Sequence, residues 1–491
     1  MQRSITTTFD RPRPPATARP TIGERVERLL ERVDPAVIGL LFVVLALAVY
    51  YFSNQQRNSI YDHFVWQADA FLHGRFAIAY PVTAGPYQNG LFQDVMPLPG
   101  PAAGPSYALL PFPPLPAIVL MPFVAVFGLA TNAQLVGVAL GAINVGLVWR
   151  MTTRLTERRA VAILATIFFA FGTVHWYAAM LSSTWFLAHV VAITFTVLGI
   201  TLALDGERRE RALAALRALR PSGGQRPENE VVATFKESSL FLGWYRRLRP
   251  HFEPVQFAAG FVFGVAAMAR LTVIFAAPFF LFVGPGGSIL RRGVSAALGA
   301  VIPVALLLVY NQLSTGHLFS PVYDYLYQIE YLGYMPPGFQ IDRSLGIEDI
   351  GHVPLNTLIM LGWLPTIPAD CSFSSLAACI ATKPDQVGMS VLLTSPAYLL
   401  AVPIVIRYWR RGIVLGSALA VGAVAFVNLM HFSQGWVQFG YRFSNDFAPF
   451  AVVLVTLAIA WLGVRKTTLG LVALSVLVNA WGVYWGVTLG W

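Results

Sequence analysis

A small group of ionisable residues lies outside the charge clusters of this chain, and the search for chemistry begins with them. The chain has 491 residues and 34 lysines and arginines. All but six of these fall into short stretches: the N-terminal tail, 150–159, 205–255, 284–293, 407–411 and 465–466. The exceptions are Arg57, Arg75, Arg270, Arg343, Lys383 and Arg442. Long apolar runs separate the clusters, so the six exceptions are expected on the opposite side of a membrane from the rest of the positive charge.

Arg270 is the most unusual of these cations. It lies in the stretch MARLTVIFAAP, with apolar residues on both sides. A charge at bilayer depth is costly and by default indicates function. A guanidinium group there suits bidentate binding of a phosphate. The alternative interpretation is that the side chain snorkels to the outer headgroups.

Arg442 is the second candidate cation. It follows Tyr441, and Asp446 comes four residues later. If the segment is helical, Arg442 and Asp446 could form an ion pair. Phosphate binding by Arg442 is the other interpretation. Arg75, which follows Gly74, is a third candidate.

Asp62 is the candidate proton acceptor. It follows the first apolar span by about ten residues, so its carboxylate can face the membrane surface and take a proton from a hydroxyl group. His63 adjoins it and could tune or share that proton. A helix N-cap is the structural alternative for Asp62. Asp69 lies two helical turns later, either as a partner carboxylate or metal ligand or on a solvated face, and Asp94 is a weaker candidate of the same kind.

The composition is that of a membrane protein. Hydrophobic residues make up 56% of the chain and charged residues 12%, against about 25% charged residues in a soluble domain. Several runs reach the ~20 apolar residues needed to cross the hydrocarbon core. The net charge of +10 is explained by loops held against an anionic inner leaflet. Membrane lipids are therefore expected partners, whereas the sequence has no folded basic module typical of nucleic-acid binding.

The basic clusters also predict a topology, because cytoplasmic loops collect Lys and Arg. The predicted parts are a disordered cytosolic tail (1–34), a first transmembrane half (35–204) with an outer loop (53–131), an Arg-rich cytosolic loop (205–255) and a second transmembrane half (256–491) with an outer loop (314–388). Eleven crossings are expected: 35–52, 132–150, 160–178, 185–204, two short limbs within 256–283, 294–313, 389–406, 412–431, 447–463 and 467–488.

Two segments near the predicted surfaces need separate interpretations. Residues 107–127 are apolar but contain five prolines, which would disrupt a single helix, so this segment is predicted to be interfacial or re-entrant. Gly206–Arg220 reads as a basic amphipathic helix lying on the inner leaflet. Cys371 and Cys379, the only cysteines, fall in the second outer loop, where an oxidising compartment would permit a local disulfide. Two free thiols are the alternative.

Four sequence segments carry a resemblance to a known family. They are YDHFVWQADAFLHGR (61–75), YALLPFPPLPAIVLMPFVAVFG (107–128), FGTVHWY (171–177) and GYRFSNDFAP (440–449). In order and topology they resemble the GT-C superfamily of membrane glycosyltransferases, of the aminoarabinose transferase, protein mannosyltransferase and arabinofuranosyltransferase types. The resemblance covers most of the chain. It implies an all-α polytopic membrane protein, with a GT-C-like bundle of about 11 transmembrane helices and two large outer loops carrying juxtamembrane helices.

The resemblance also implies a reaction and a location. The expected reaction moves a sugar from a polyprenyl-phosphate donor to a hydroxyl of a glycan, lipid or protein acceptor, with inversion. The expected location is the inner cell membrane, with a cytoplasmic N-terminus and an active site on the outer or periplasmic face. Asp62 would be the base, and Arg270 and Arg442 would hold the leaving phosphate. The further substrate or phosphate contacts would be His63, Asp69, Arg75, Tyr441, His175 and Tyr323.

His175 and His189 flank the segment after the third span. His175, nearer the outer surface, is a candidate ligand for a metal or phosphate, whereas His189 is expected to be a satisfied histidine of the bundle. Tyr323 opens the run YDYLYQIEY (323–331), which suits binding of an acceptor or sugar but also an amphipathic interfacial helix. Many GT-C members carry an acidic residue after the third span, but residues 175–184 contain none. A divalent metal is therefore not supported by a D-x-D motif.

Two other functions remain open from the sequence. One is a transporter or flippase of lipid-linked sugars, although the spans hold few ionisable residues apart from Arg270 and His189. The other is a ligase that moves a preassembled glycan from a polyprenyl diphosphate. Asp62 discriminates between an enzyme and a transporter, because a transporter does not need a base there.

Overall fold

A computed structural model describes residues 27, 29–56, 61–80, 94–99, 106–218, 252–327, 344–372, 379 and 381–491. Helices dominate it. In chain order they are α1 (Pro35–Ser53), α2 (His63–Leu72), α3 (Leu115–Phe127), α4 (Ala133–Leu155), α5 (Arg159–Phe171), α6 (His175–Leu181), α7 (Thr184–Ala218), α8 (Pro254–Ala267), α9 (Phe279–Phe282), α10 (Ile289–Thr315), α11 (Val322–Tyr325), α12 (Val353–Gly362), α13 (Val391–Thr394), α14 (Ala401–Tyr408), α15 (Gly412–Met430), α16 (Ser444–Leu462) and α17 (Lys466–Thr488).

Seven of these helices are long and apolar enough to cross a membrane: α1, α4, α7, α10, α15, α16 and α17. Helices α5 and α6, which meet at a bend of 49°, make an eighth crossing if they are counted as one span. The predicted multi-pass helical membrane protein is therefore confirmed, but the count of eleven is not. The remaining predicted crossings correspond to shorter apolar helices: Pro254–Ala267, Leu271–Phe282 and Pro396–Tyr408.

The predicted crossing 389–406 is broken by a proline. Helix α13 ends at Thr394, and a 3₁₀ helix starts at Pro396 before α14 continues the run. The ring of a proline disfavours the α conformation of the residue before it, and Ser395 indeed has φ −137° and ψ 65°. A continuous apolar run therefore becomes three short helical pieces.

Residues 206–218 do not form the separate amphipathic helix that the sequence suggested. Helix α7 runs without a break from Thr184 to Ala218, so 206–218 is an extension of a crossing helix and not a separate helix on the membrane surface. This part of the sequence is rich in Ala, Leu, Glu and Arg, which are strong helix formers. Two carboxylates tie the extension to the bundle: Asp205 accepts hydrogen bonds from Arg150 and Arg154, and Glu210 accepts one from the backbone of Gly286.

The described structure is mostly helical, in agreement with the predicted all-α class, and it also contains a few short strands. The first loop contains a small antiparallel sheet of β1 (Ile78–Ala79), β2 (Met96–Pro97) and β3 (Tyr107–Leu109), in the order β1-β3-β2. Helix α3 follows this sheet and has only 13 residues. Its short length agrees with the prediction that the proline-rich segment is not a full span.

The alternation of basic clusters along the chain corresponds to two distinct ends of the bundle. At one end, Arg150 and Arg154 bind Asp205, and Arg291 binds Glu253. We call this the basic end. At the other end, the Gln134 side chain donates to the carbonyls of Asn54 and Met180, which joins the start of α4 to the ends of α1 and α6. We call this the site end.

The segment 256–283 goes out and returns, as predicted. Gln256, at the start of α8, donates from Nε2 to the carbonyls of Phe280 (2.7 Å) and Val283 (3.0 Å). Both ends of the hairpin therefore lie side by side at the basic end. Its turn, at Met268–Arg270, lies at the site end, since the N–H of Leu115 bonds to the carbonyl of Met268.

Helix α16 forms the centre of the bundle and is buried from Ser444 to Ala460. Its first turn therefore carries Asp446 into the protein interior. In the loop between α12 and α13, Cys371 and Cys379 form the predicted disulfide.

Candidate active site

A fully buried carboxylate, Asp446, lies at the centre of the site end. It is in the first turn of α16, where the positive end of the helix dipole favours an anion. Four side chains from three other parts of the chain donate to it: His189 Nδ1 (2.7 Å), Arg270 Nε (3.3 Å) and Nη2 (2.9 Å), Thr272 Oγ1 (2.9 Å) and Asn428 Nδ2 (3.4 Å). We call Asp446 and these donors the Asp446 network. It joins α7, α15 and α16 to the turn of the hairpin.

The network revises the interpretation of Arg270. Its side chain does not snorkel away from the bundle but forms an ion pair with Asp446, which neutralises its charge. The two bonds use Nε and Nη2, so Nη1 can still donate to a ligand. The i,i+4 pair of Arg442 with Asp446 does not form, because α16 begins only at Ser444.

The two histidines lie in different surroundings. His189, expected to be satisfied within the bundle, is a direct partner of Asp446. His175, the candidate ligand, is fully buried; its ring stacks on Phe169 (centroids 4.6 Å apart), and Nε2 binds the carbonyl of Gly141 (3.2 Å). The structure therefore does not bring His175 to the Asp446 network.

Arg442 lies among aromatic rings beside the network. Its Cζ atom is 5.3 Å from the ring centroid of Phe443 and 5.9 Å from the centroids of Trp185 and Phe186. Arg270 approaches the same Phe443 ring, at 5.1 Å. The quadrupole of an aromatic ring attracts such cations. Phe443 thus brings the two predicted guanidinium groups to one place.

Gly435 provides the space that Arg442 occupies, and this leads to a first prediction. Gly435 has φ +93°, and a Cβ atom there would lie 2.6 Å from Cζ of Arg442. We expect Gly435→Ala to destabilise the protein by about 1–2 kcal/mol, because an L-residue is strained at positive φ, and to displace Arg442. Thermal unfolding in detergent measures the first effect. Gly422→Ala is the control, since Gly422 has nothing within 4 Å of its Cβ position; equal unfolding temperatures for both variants would contradict the prediction.

Asp62 is held at the start of α7. It occupies the N-cap position of α2, yet its side chain does not cap that helix, which disfavours the structural interpretation. Its two neighbours in sequence bind the Thr184 side chain. The Thr184 hydroxyl donates to the carbonyl of Tyr61 (2.5 Å), and the backbone N–H (3.2 Å) and Nδ1 (2.8 Å) of His63 both contact Thr184 Oγ1. Asp62 itself is buried, with 6% exposure.

Another carboxylate of the first loop, Asp94, contacts Trp185, the residue that follows Thr184 in α7. The indole N–H of Trp185 donates to Asp94 Oδ2 at 2.9 Å. Asp94 has φ +61°, a left-handed conformation that Asp adopts more readily than most residues and that is common at functional sites. The Trp185 ring also lies 4.9 Å from that of Tyr61. Trp185 thus connects the segment holding both acids to Arg442, although the sequence ranked Asp94 below Asp62.

Tyr323, from the short helix α11, completes the group. Burial raises the pKa of Tyr323 to about 12, and the charges of Arg270, Asp94 and Arg442 also act on its hydroxyl. It therefore stays protonated near neutral pH and can donate a hydrogen bond. Residues 328–331 of the run YDYLYQIEY (323–331) lie outside the described residues.

An ion pair fixes the second loop beside Tyr323. His431 Nδ1 lies 2.7 Å from Glu348 Oε1, and its ring is 6.2 Å from that of Tyr323. The backbones of the two residues also form an isolated bridge. This contact joins the loop before α12 to the end of α15.

Several predicted residues lie elsewhere. Asp69 and Arg75 form a partly exposed ion pair with an N–O distance of 3.9 Å at the far end of α2, and Arg75 also covers the ring of Tyr107. Lys383 pairs through its backbone with Thr366. Arg57 and Arg343 lie outside the described residues.

Tyr441 does lie at the site. Its hydroxyl is buried without a hydrogen-bond partner among the described residues. Burial raises its pKa, and the charges of Asp446 and Arg270 also act on it. The hydroxyl therefore remains a neutral donor beside the Asp446 network.

The described side chains do not suggest a metal centre. Within the described ranges, no group of three or more His, Cys, Asp or Glu side chains converges in a way that could hold a metal ion. The described side chains at the site end that could act on a substrate include carboxylates, guanidinium groups and hydroxyls. No protein-family model, curated protein or solved structure matches this chain, so its assignment depends on this site.

Proposed function

We propose that this protein is a membrane glycosyltransferase that moves a sugar from a polyprenyl-phosphate donor to a hydroxyl of a glycan, lipid or protein acceptor. One observation carries the proposal. The segment bearing the acids Asp62 and Asp94 meets Arg442 around Trp185, at the end opposite the basic clusters. In the proposed orientation the basic end faces the cytoplasm, and the site end faces the outer or periplasmic side of the inner cell membrane.

The proposed reaction is a single displacement with inversion. Asp62 takes the proton of the acceptor hydroxyl as its oxygen attacks the anomeric carbon. The bond from that carbon to the phosphate oxygen breaks, and negative charge develops on the departing phosphate. Arg442 stabilises this charge in an environment poor in water, where such contacts are strongest. Asp446 neutralises the charge of Arg270, so the contribution of Arg270 is a hydrogen bond from Nη1 and not a net positive charge.

A reaction in detergent solution tests the proposal. The purified protein is incubated with undecaprenyl phosphates carrying a pentose or a hexose, with and without an acetone-powder extract of cell-envelope acceptors, and released undecaprenyl phosphate is measured. A glycosyltransferase should release it with at least one donor. A flippase should leave every donor intact, because micelles have no two sides. Arg442→Gln should lower the release rate by about 10²–10³, the usual loss when one stabilising donor is removed.

A further inference from the structure

One ring nitrogen of His189 binds Asp446, and the other has no partner within the described part of the chain. Asp446 is surrounded by four donor side chains and acts as a carboxylate, so it can only accept hydrogen bonds. The short contact of 2.7 Å to Nδ1 therefore places a proton on that nitrogen. In the neutral ring Nε2 then carries a lone pair, and in the protonated ring it carries a second N–H.

The Nε2 atom is buried and has no hydrogen-bond partner among the described residues. An unsatisfied buried polar atom destabilises a folded protein, so a role for it should be sought in its surroundings. The charges of Asp446, Arg270 and Arg442 all act on this imidazole. The buried Tyr441 hydroxyl is also without a partner and lies near Asp446 and Arg270.

His175 shows how a histidine with only a packing role looks in the same bundle. It is also fully buried, and its Nδ1 also has no partner among the described residues. Its ring stacks on Phe169 and contacts Tyr50, and no charged group perturbs it. The two histidines therefore share burial and an unsatisfied nitrogen but differ in the charges around them.

The Phe443 ring lies beside His189 and beside both arginines. Its centroid is 6.0 Å from that of the imidazole, and both Arg270 and Arg442 approach the same ring. Nε2 is closed to solvent, so an anion can contact it only after a neighbouring side chain moves, and Phe443 is a neighbour that His189 shares with both arginines.

We infer that His189 Nε2 is a phosphate contact that selects a phosphate monoester, which in the proposed function is the polyprenyl phosphate released by transfer. A monoester keeps a titratable oxygen with a pKa near 6, and this oxygen can share one proton with Nε2. The phosphodiester of the donor has no such oxygen. Asp446 is the positioning residue, because it fixes the tautomer and orientation of the ring. The inference depends on the proposed function only for the identity of the lipid.

The surroundings of His189 allow the proton shared by Nε2 and the phosphate to be measured. The charged groups that act on it are Asp446 from α16, Arg270 from the hairpin turn and Arg442 from the segment before α16; the Tyr441 hydroxyl interacts with the first two. The arginines stay charged, and burial raises the pKa of Tyr441, so neither type loses a proton between pH 6 and 8. Proton uptake on binding therefore reports on the imidazole and the phosphate. Because the monoester loses its proton as pH rises, its affinity should fall from pH 6.5 to pH 8.

Calorimetry on the full chain in detergent micelles tests the inference. The probes are undecaprenyl phosphate and its methyl diester, titrated in two buffers of different ionisation enthalpy to count protons. The wild type should bind the monoester at least ~10-fold more tightly at pH 6.5, with proton uptake at pH 8. His189→Asn keeps an N–H for Asp446 but removes Nε2, so it should fold normally and lose both the preference and the uptake. His175→Gln should behave as the wild type.

The outcomes distinguish this inference from the proposed function. Wild-type preference and proton uptake in a folded His189→Asn protein would overturn the inference and leave the glycosyltransferase proposal intact. Loss of both in His175→Gln would also overturn it, because burial alone would then explain the effect. Failure of the wild type to bind either lipid would count against the proposed function itself.

Discussion

Asp62→Asn is expected to lower kcat for sugar transfer by about 10²–10⁴, the usual contribution of a positioned base. Asparagine has nearly the same shape but cannot take a proton from the acceptor hydroxyl. Donor affinity should change little, since in the proposed mechanism the phosphate is held by Arg442. The measurements are the initial rate of polyprenyl phosphate release and the KM for the donor, with purified protein.

Asp34→Asn is the matched control for this prediction. Asp34 also occupies a helix N-cap, at the start of α1, where its side chain accepts from the N–H of Ala36. Asparagine caps helices as well as aspartate does, so this variant should keep the wild-type rate. Normal transfer by Asp62→Asn would disprove the assigned base. If Asp94→Asn lost the activity instead, the base would be the carboxylate bound to Trp185.

Asp446→Asn is expected to destabilise the protein by about 3–5 kcal/mol, the range seen when one partner of a buried ion pair is removed. The Asp446 side chain has no exposure, and its loss of charge would leave the Arg270 guanidinium uncompensated inside the bundle. The bonds from His189 and Thr272 would weaken at the same time. Unfolding in mixed micelles with increasing dodecyl sulfate measures the change.

Asp205→Asn is the control for this prediction, because it removes a carboxylate from an ion pair that is partly exposed. Asp205 binds Arg150 and Arg154 at the basic end, where all three side chains are about a third to a half exposed. Exposed pairs contribute about 0–1 kcal/mol, so this variant should unfold almost like the wild type. A double variant, Arg270→Met with Asp446→Leu, should recover part of the lost stability. Equal losses in Asp446→Asn and Asp205→Asn would show that the network does not stabilise the bundle.

The positions of the spans were largely predictable because they depend on local composition. Hydrophobic runs of membrane length produced α1, α4, α15 and α17 within a few residues of the predicted bounds. The clusters of Lys and Arg predicted the out-and-back hairpin, since a segment flanked by positive charge on both sides must return to the same end. The helix length beyond residue 205 and the break at Pro396 were missed, because charge pattern and hydropathy do not report where a helix ends.

The site was only partly predictable, because its contacts join residues far apart in the chain. Sequence spacing suggested Arg442 as the partner of Asp446, four residues away, whereas Asp446 actually pairs with Arg270 and His189, which are 176 and 257 positions away. Trp185 gave no sequence signal at all. It is one of twelve tryptophans, and only its position at the start of α7 places it between Asp94, Tyr61 and Arg442.

The sequence by itself determined that this chain crosses a membrane several times, that its positive charge gathers at one end, and which acids and arginines are available at the other. Those properties follow from the free energy of transferring each segment into lipid, which depends on the residues of that segment alone. The tertiary structure decided which of these residues meet. The packing of the helices decides which partner a buried charge meets. Here the central position of α16 brings Asp446 to Arg270, whose charge it neutralises, and leaves Arg442 beside the first-loop acids.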